Sequence, residues 1–476
     1  MKNVINAEET EIQVMEEKKK FKLHTKSTDK EITEALKEKL GNVLYVPTSD
    51  DFYVYDGKIW KKLDSKARIK SEALKILETI DNGQKATQSK ASQISAHLEL
   101  ISLIEMEREI NDKRDYLILD NCILDIGSKT FNLIPHNPKI YNTNMFKISL
   151  SGDDLDKVND VHFNPLDNAP ILKKYFEDTF FNAYYEEPQE TLDLIQEMMG
   201  YCLTSHTKAQ KAFFLWGSGQ DGKSVICDVL TGLLGKENTS SLTFESFNKE
   251  FYNSDLIGKT ASISAESKRM RFKEDANTGV FKAIVAGDRI TINIKGKPLV
   301  SYKPFAKLIF AVNHCPEVPD NSHGFARRVL NIPFTRQVPN DEVNVNLAND
   351  ILEKEFKQVF LFALQGLKRL QDRNYRFRPS KDIEKATNAY LKVIDPIQDF
   401  IKNNLIVNEN AKIRSDRLQD LYSEYMELNN LSGELNINAI GKEIVSKLRK
   451  EKVRKERLMI NGERHFYYLG IGEKSS

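Results

Sequence analysis

A short stretch, Lys211-Ala-Phe-Phe-Leu-Trp-Gly-Ser-Gly-Gln-Asp-Gly-Lys-Ser-Val-Ile226, constrains the fold of this chain more than any other. The apolar, aromatic run Phe213–Trp216 reads as a buried strand. From Lys223 to Leu234 the pattern is helical, with Gly235 as its stop. Between them, Gly217, Gly222, Lys223 and Ser224 meet the spacing G-x-x-x-x-G-K-[ST]. Glycines let the backbone curl so that successive N–H groups face a phosphate chain, and the amino-terminus of the next helix adds a favourable dipole. In that arrangement Lys223 reaches the β- and γ-phosphates and the Ser224 hydroxyl ligates Mg²⁺. A chance glycine turn is the alternative, and the strand and helix flanks argue against it. The expectation is a nucleotide-phosphate site over Gly217, Ser218, Gly219, Gln220, Asp221, Gly222, Lys223, Ser224 and Val225.

With 476 residues the chain is too long for one ordinary core, and about three domains are expected. Its 70 Lys and Arg against 69 Asp and Glu leave a formal charge of +1, so only local clusters can report on partners. Cys122, Cys202, Cys227 and Cys315 are far apart and form no C-x-x-C pair, which argues against a zinc module and fits a reducing cytosol. No apolar run approaches a membrane span, and the first residues are charged rather than signal-like. A cytoplasmic protein away from membranes is expected.

Residues 1–28 are rich in Glu and Lys and read as a flexible charged tail. Residues 29–150 read as a mixed α/β domain, with a helix from Asp29, β-rich runs Val43–Val46 and Phe52–Tyr55, and a hairpin about Asp56-Gly57. Helices are expected over 66–81 and 93–113, then strands Tyr116–Leu119 and Phe131–Ile134. Asp120 and Asp125 do not make the alternating D-x-D pair that a polymerising primase would need, and both read as turn residues. Within 151–205, residues 151–170 read as a linker, followed by helices Ile171–Phe181 and Thr191–Leu203.

Beyond the glycine-rich stretch, the strand Thr260–Ala265 ends in Glu266, where a carboxylate can polarise water or hold Mg²⁺ through water. The strand Arg289–Ile294 turns at Lys295-Gly296-Lys297 and returns through Leu299–Tyr302, a hairpin with a basic tip. Asn313 ends the buried strand Ala306–Val312 and can contact a γ-phosphate or its water; a strand-end turn residue is the alternative. Arg327-Arg328 precede a further strand, Val329–Phe334, and alone read as surface charges.

Taken in this order, the set resembles superfamily 3 helicases, and among them the C-terminal helicase region of phage/plasmid and poxvirus primase-helicases. Gln196-Glu-Met-Met-Gly-Tyr-Cys-Leu-Thr204 looks like a helix motif that the family carries ahead of its phosphate loop, and residues 30–150 look like its small accessory domain. The resemblance implies an α/β architecture: an AAA+-like P-loop ATPase over 206–394, preceded by the accessory domain and a helical collar, and followed by a winged-helix domain over 395–476. It implies Gly217, Gly222, Lys223 and Ser224 as Walker A, Glu266 as the Walker B acid and Asn313 as the γ-phosphate sensor. Arg328, with Arg327, would be an arginine finger acting on the neighbouring subunit's site, hence a ring, hexameric in the family. Lys295 and Lys297 would line the pore and grip one DNA strand. In one departure, Ala265 precedes Glu266 where many members have a second acid, which leaves the Mg²⁺ ligand set open.

In 395–476, Leu418, Leu421, Tyr422, Tyr425 and Met426 mark an amphipathic helix, and a second runs over Asn438–Lys450. The runs Val453–Ile460 and Arg464–Leu469 flank Asn461-Gly462, a strong hairpin signal. Helix, helix, hairpin is the winged-helix order. Residues 442–464 hold nine basic residues and four acids, an excess of +5. That predicts DNA phosphate contact through Lys447, Arg449, Lys450, Arg454 and Arg464; a solvated charged helix is the alternative.

The expected function is an ATP-dependent replicative DNA helicase of a phage, plasmid or integrated mobile element, using ATP and Mg²⁺. By resemblance it would translocate 3′→5′ on single-stranded DNA as a hexamer and engage forked or origin DNA. An origin-binding initiator or loading platform is the alternative, and the basic hairpin together with Asn313 and Arg328 favours the motor. Primer synthesis is expected on a separate chain.

Overall fold

In the computed structural model the chain forms two compact units that divide between Glu109 and Ile110. The structure describes residues 23–474 apart from 25, 81–82, 85, 105–109, 266–277, 297–298, 314–322, 430, 432–436 and 461–462.

In the first unit, α1 (Asp29–Leu40) begins at Thr28, whose hydroxyl accepts the Glu31 N–H while Glu31 reaches back to the Thr28 N–H. The strands β1 (Val43–Val46), β2 (Asp51–Tyr55) and β3 (Trp60–Lys62) form an antiparallel meander. Two helices follow, α2 (Lys66–Glu78) and α3 (Gln88–Ile101), and α3 starts five residues before its expected position because Thr87 caps it. Ile32, Leu36, Phe52, Ile69, Leu77, Ile94 and Leu98 make the core of this unit.

The second unit opens with an antiparallel sheet of β4 (Tyr116–Ile118), β5 (Ile123–Asp125) and β6 (Asn132–Ile134). The division into compact units thus precedes these strands. Next is α4 (Gly152–Asn159), a helix where the sequence suggests a linker. Ser151 and Asp154 form a reciprocal cap, and Leu155 and Val158, one turn apart, are buried. Two longer helices, α5 (Pro170–Phe180) and α6 (Pro188–Leu203), lead to β7 (Ala212–Trp216), α7 (Lys223–Leu234), β8 (Thr239–Ser240) and β9 (Ala261–Ala265). Then come α8 (Thr278–Ala286), β10 (Ile290–Ile292), β11 (Val300–Tyr302), β12 (Lys307–Val312), α9 (His323–Ala326), β13 (Val329–Pro333), α10 (Leu347–Asp372) and α11 (Lys381–Ile394).

Five of these strands form a parallel sheet in the order β13-β7-β12-β9-β8. Both its faces are covered, which is why its strands read as near-continuous apolar runs. On one face Phe213, Leu215, Ile309 and Ile332 meet α5, α6, α7 and α10; on the other Phe214, Phe310 and Val312 meet Phe244, Phe281, Phe325 and Tyr390. Helices α6 and α10 cross in close contact: a Cβ on Gly200 would lie 2.3 Å from the Ala363 carbonyl oxygen.

The chain ends with α12 (Pro396–Asn404), β14 (Leu405–Arg414), α13 (Ser415–Leu428), α14 (Ile437–Lys447), β15 (Arg454–Ile460) and β16 (Glu463–Glu473). The sheet order is β14-β16-β15, and Phe400, Leu418, Tyr422, Ile444, Tyr468 and Ile471 fill its core. The hairpin register sets Ile460 opposite Glu463, with Asn461-Gly462 outside the described residues. Strand β14 carries no alternating signal, because Ile406 and Val407 are exposed and its pairing shifts between Val407 and Lys412. No helix among the described residues is long and apolar enough to cross a membrane.

Candidate nucleotide site

Strand β7 delivers the chain to the carboxyl edge of the parallel sheet, where residues 217–222 turn into α7. The turn is built around two glycines. A Cβ on Gly217 would lie 2.1 Å from Asp221 Oδ2 and 2.4 Å from the Phe334 carbonyl oxygen, so no larger residue fits. Gly222 sits at φ +88°, in the left-handed region, and its carbonyl accepts a 2.9 Å hydrogen bond from the Tyr175 hydroxyl. Burial raises the Tyr175 phenol well above its ordinary pKa, so it stays a neutral donor.

Lys223 and Asp221 are both buried, and the lysine ammonium is paired with the Asp221 carboxylate. The same carboxylate accepts the Gly219 N–H at 3.0 Å and the Lys223 N–H at 3.3 Å. An anion therefore already occupies this ring of donors, and it belongs to the chain itself. Ser224 is exposed in the first turn of α7, and Val225 is half-buried. A hydroxyl oxygen is a donor type that Mg²⁺ takes, so exposed Ser224, the residue after the lysine, fits the ion.

The segment leaving β13 clasps the turn, which sequence reasoning missed. Val338 N–H donates to the Gln220 carbonyl at 2.7 Å, Gln220 Nε2 to Asn340 Oδ1 at 2.9 Å, and Gln337 Nε2 to Ser218 Oγ at 3.1 Å. Polar residues after a strand are ordinary in any loop, so no local signal marked them.

Asn313 follows directly on β12, and the Val312 carbonyl accepts the Gly217 N–H at 3.2 Å. This brings Asn313 to the same edge as the turn. Glu266 lies outside the described residues; β9, which precedes it, ends at that edge too, with Ala265 opposite Ala311. The arginines lie at the other edge. The Ala212 N–H donates to the Arg328 carbonyl at 2.7 Å, so the length of β7, about 15 Å at 3.3 Å per residue, separates them from the turn. Arg328 is buried and its guanidinium donates to the Gly324 carbonyl, whereas Arg327 is exposed.

Strands β10 and β11 pair as a hairpin with Lys295 exposed; Lys297 lies outside the described residues. Beside it, Asn293 Nδ2 donates to Glu250 Oε1 at 2.7 Å. Next to Glu250 are Phe251 (42% exposed, φ +70°) and Tyr252 (47% exposed), with the Lys249 ammonium 5.5 Å from the Tyr252 ring. Two exposed rings and Lys249 thus lie beside the hairpin that carries Lys295. In the sequence these rings merge with the nearby core residues Phe244 and Phe247.

Of the C-terminal cations, Lys447 is ion-paired with Asp395 at 2.8 Å and Arg454 with Glu456 at 2.7 Å. Arg449 and Arg464 are exposed, and the Lys450 side chain lies outside the described residues.

Comparisons with known proteins give two family matches. Residues 215–328 match a family described as of unknown function (DUF5906), and residues 32–181 match one described as D5 N terminal like. A protein of Acanthamoeba polyphaga mimivirus named "Putative helicase" is 24% identical over 261 residues, which are 51% of this chain and 27% of that protein. The chain thus spans about a quarter of that relative's length. Among solved structures, an apo form of the NrS-1 C-terminal region aligns with a TM-score of 0.51 at 14% identity, covering 92% of this chain and 98% of that one. A second apo structure of the same region gives 0.51 and 14% over 93% and 98%. At this identity the likeness is one of fold: mixed α/β with a parallel sheet.

Proposed function

We propose that the chain is an ATP-dependent replicative DNA helicase of superfamily 3 type, with an AAA+-like P-loop core and a C-terminal winged-helix domain. The observation that carries this is the closed turn 217–222 presenting buried Lys223 at the carboxyl edge of a parallel sheet, with Asn313 on the adjoining strand end. That edge, at the carboxyl ends of the parallel strands, is where open α/β sheets bind ligands. The mimivirus relative's helicase name and the D5-like match support the same reading.

Lys223 would contact the β- and γ-phosphates, the N–H groups of the turn and α7 would hold the remaining oxygens, and Asn313 would orient the attacking water. Ser224, with Glu266, would hold Mg²⁺, which when bound offsets phosphate charge. Arg327 and Arg328 lie too far from the turn to serve their own subunit's nucleotide. Exposed Arg327 is better suited than buried Arg328 to reach a neighbour's site, and this supports a ring with sites between subunits. Lys295, Phe251 and Tyr252 would grip single-stranded DNA by charge and stacking.

Strand displacement on a 3′-tailed fork with ATP and Mg²⁺ tests the reading, with Lys223→Ala as control. Unwinding absent from the control is expected; ATPase and DNA binding without displacement would instead indicate a loading platform. The ring has its own test. Arg327→Ala and Lys223→Ala proteins are each expected to be inactive, and mixing them should restore hydrolysis at the interfaces that keep both residues. No recovery on mixing would argue against a finger in trans.

A further inference from the structure

The two faces of the β15–β16 ribbon differ in charge and in apolar exposure. Its register pairs Lys455 with Tyr468, Arg457 with Phe466 and Met459 with Arg464, so these six side chains share one face. The inner end of that face is core, with Tyr468 buried against Gly441 of α14. Its outer end is open: Met459 is 61% and Phe466 50% exposed. Lys455, Arg457 and Arg464 are exposed on it, it carries no acid, and among the described residues none of the three is ion-paired. The ribbon's acids, Glu456 and Glu463, are on the opposite face, bonded to Arg454 at 2.7 Å and His465 at 2.9 Å. On the open face the Lys455 ammonium lies 5.1 Å and the Arg457 guanidinium 5.7 Å from the centre of the Phe466 ring.

Three cations with no ion-pair partner among the described residues attract a polyanion. The half-exposed Phe466 ring beside two of these cations adds an aromatic surface that phosphate contact alone does not use. A single strand of nucleic acid uses both features, since its phosphates meet the cations and its unpaired bases have open faces. A duplex offers phosphates but keeps its bases stacked on one another. We infer that this face of the ribbon is a subsite for single-stranded DNA: Phe466 stacks on an unpaired base, and Lys455, Arg457 and Arg464 hold the adjoining phosphates. The subsite rests on the DNA-directed reading above and is independent of the Lys223 site.

Anisotropy titrations of the whole chain with labelled oligo-dT, and with a blunt duplex of equal length, test it. Phe466→Ala is expected to weaken oligo-dT binding about five- to hundredfold, the range of one base–aromatic stack, while duplex binding is unchanged. Phe466→Trp should restore the parent affinity. Replacing Arg457 with Gln should lower the salt slope by about one, and Lys412→Gln, on the opposite face of the sheet, should leave the oligo-dT affinity alone. Basal ATP hydrolysis without DNA should match the parent in each variant. If Phe466→Ala binds oligo-dT like the parent, or loses duplex binding equally, the subsite is wrong, and capture of a protein rather than DNA by this face would also overturn it. If the parent binds neither probe, the DNA-directed reading itself fails.

Discussion

The two edges of the parallel sheet each bury a lysine, and the two are held in different ways. At the carboxyl edge, Lys223 faces a carboxylate, Asp221, two residues away. At the amino edge, Lys307 begins β12 and, among the described residues, has no acid beside it. It donates to the carbonyl of Thr204, which ends α6, and to the Phe305 carbonyl at 3.0 Å, and it lies 5.2 Å from the centre of the Tyr201 ring. Carbonyl dipoles at a helix terminus and a ring quadrupole favour a cation, but here less than burial disfavours it, and burial pushes the Lys307 ammonium down to about 7. A carboxylate can be displaced by another anion; backbone carbonyls cannot leave. The first arrangement suits a site that exchanges ligands, and the second suits a permanent tie between sheet and helix.

The largest effect that could break this contrast is at Lys223. Lys223→Ala should lower ATP hydrolysis at least ~100-fold, the scale of losing one preorganised charge at a developing anion. Removing one member of a buried pair leaves the other charged and uncompensated, at a cost of about 3–5 kcal/mol. The double variant Lys223→Ala/Asp221→Asn should therefore be as inactive as the single one but more stable to denaturant. Hydrolysis surviving in either variant would remove Lys223 from the chemistry.

Lys307→Met should leave turnover per folded molecule unchanged and alter pH dependence instead. The Lys307 pKa is depressed to about 7 from 10.5, so between these values the unfolded chain binds more protons than the folded one. Stability should then rise by about 1.4 kcal/mol per pH unit above pH 7, and its contribution is lost as pH falls through 7. Urea titrations at pH 7, 8 and 9 should show this slope in the parent and its loss in Lys307→Met. Equal slopes in both would mean that Lys307 is charged in the fold.

The contrast also separates what could be read in the sequence from what could not. The Phe213–Trp216 strand, the turn and the Lys223–Leu234 helix were legible because spacing, glycine chemistry and periodicity agree there within one window. Lys307 was not legible: it begins an apolar strand, and only long-range packing brings Thr204 and Tyr201 to it. The arginine pair shows the same limit. Adjacent residues in a sequence look equivalent, whereas the fold buries Arg328 and exposes Arg327. Helix α4 was hidden for a different reason: Ser-Gly-Asp-Asp reads as a loop until Ser151 and Asp154 cap each other.

The smallest effect sharpens the contrast most, because it tests whether the carboxylate in the turn competes with phosphate. Asp221 holds the Gly219 N–H, the Lys223 N–H and the Lys223 ammonium, three groups that a bound phosphate would also take. A nucleotide must therefore move this carboxylate or accept a negative charge beside its own. Asp221→Asn keeps the shape and one acceptor oxygen but removes the charge. Nucleotide affinity should tighten about five- to thirtyfold, or ~1–2 kcal/mol, the scale of relieving a partly buried like-charge contact. Equilibrium binding of a fluorescent ATP analogue, without DNA, reads this directly. Weaker binding would mean that Asp221 orients Lys223 toward phosphate rather than occupying its place. The two edges would then differ only in the identity of the acceptor, and not in whether it can be exchanged.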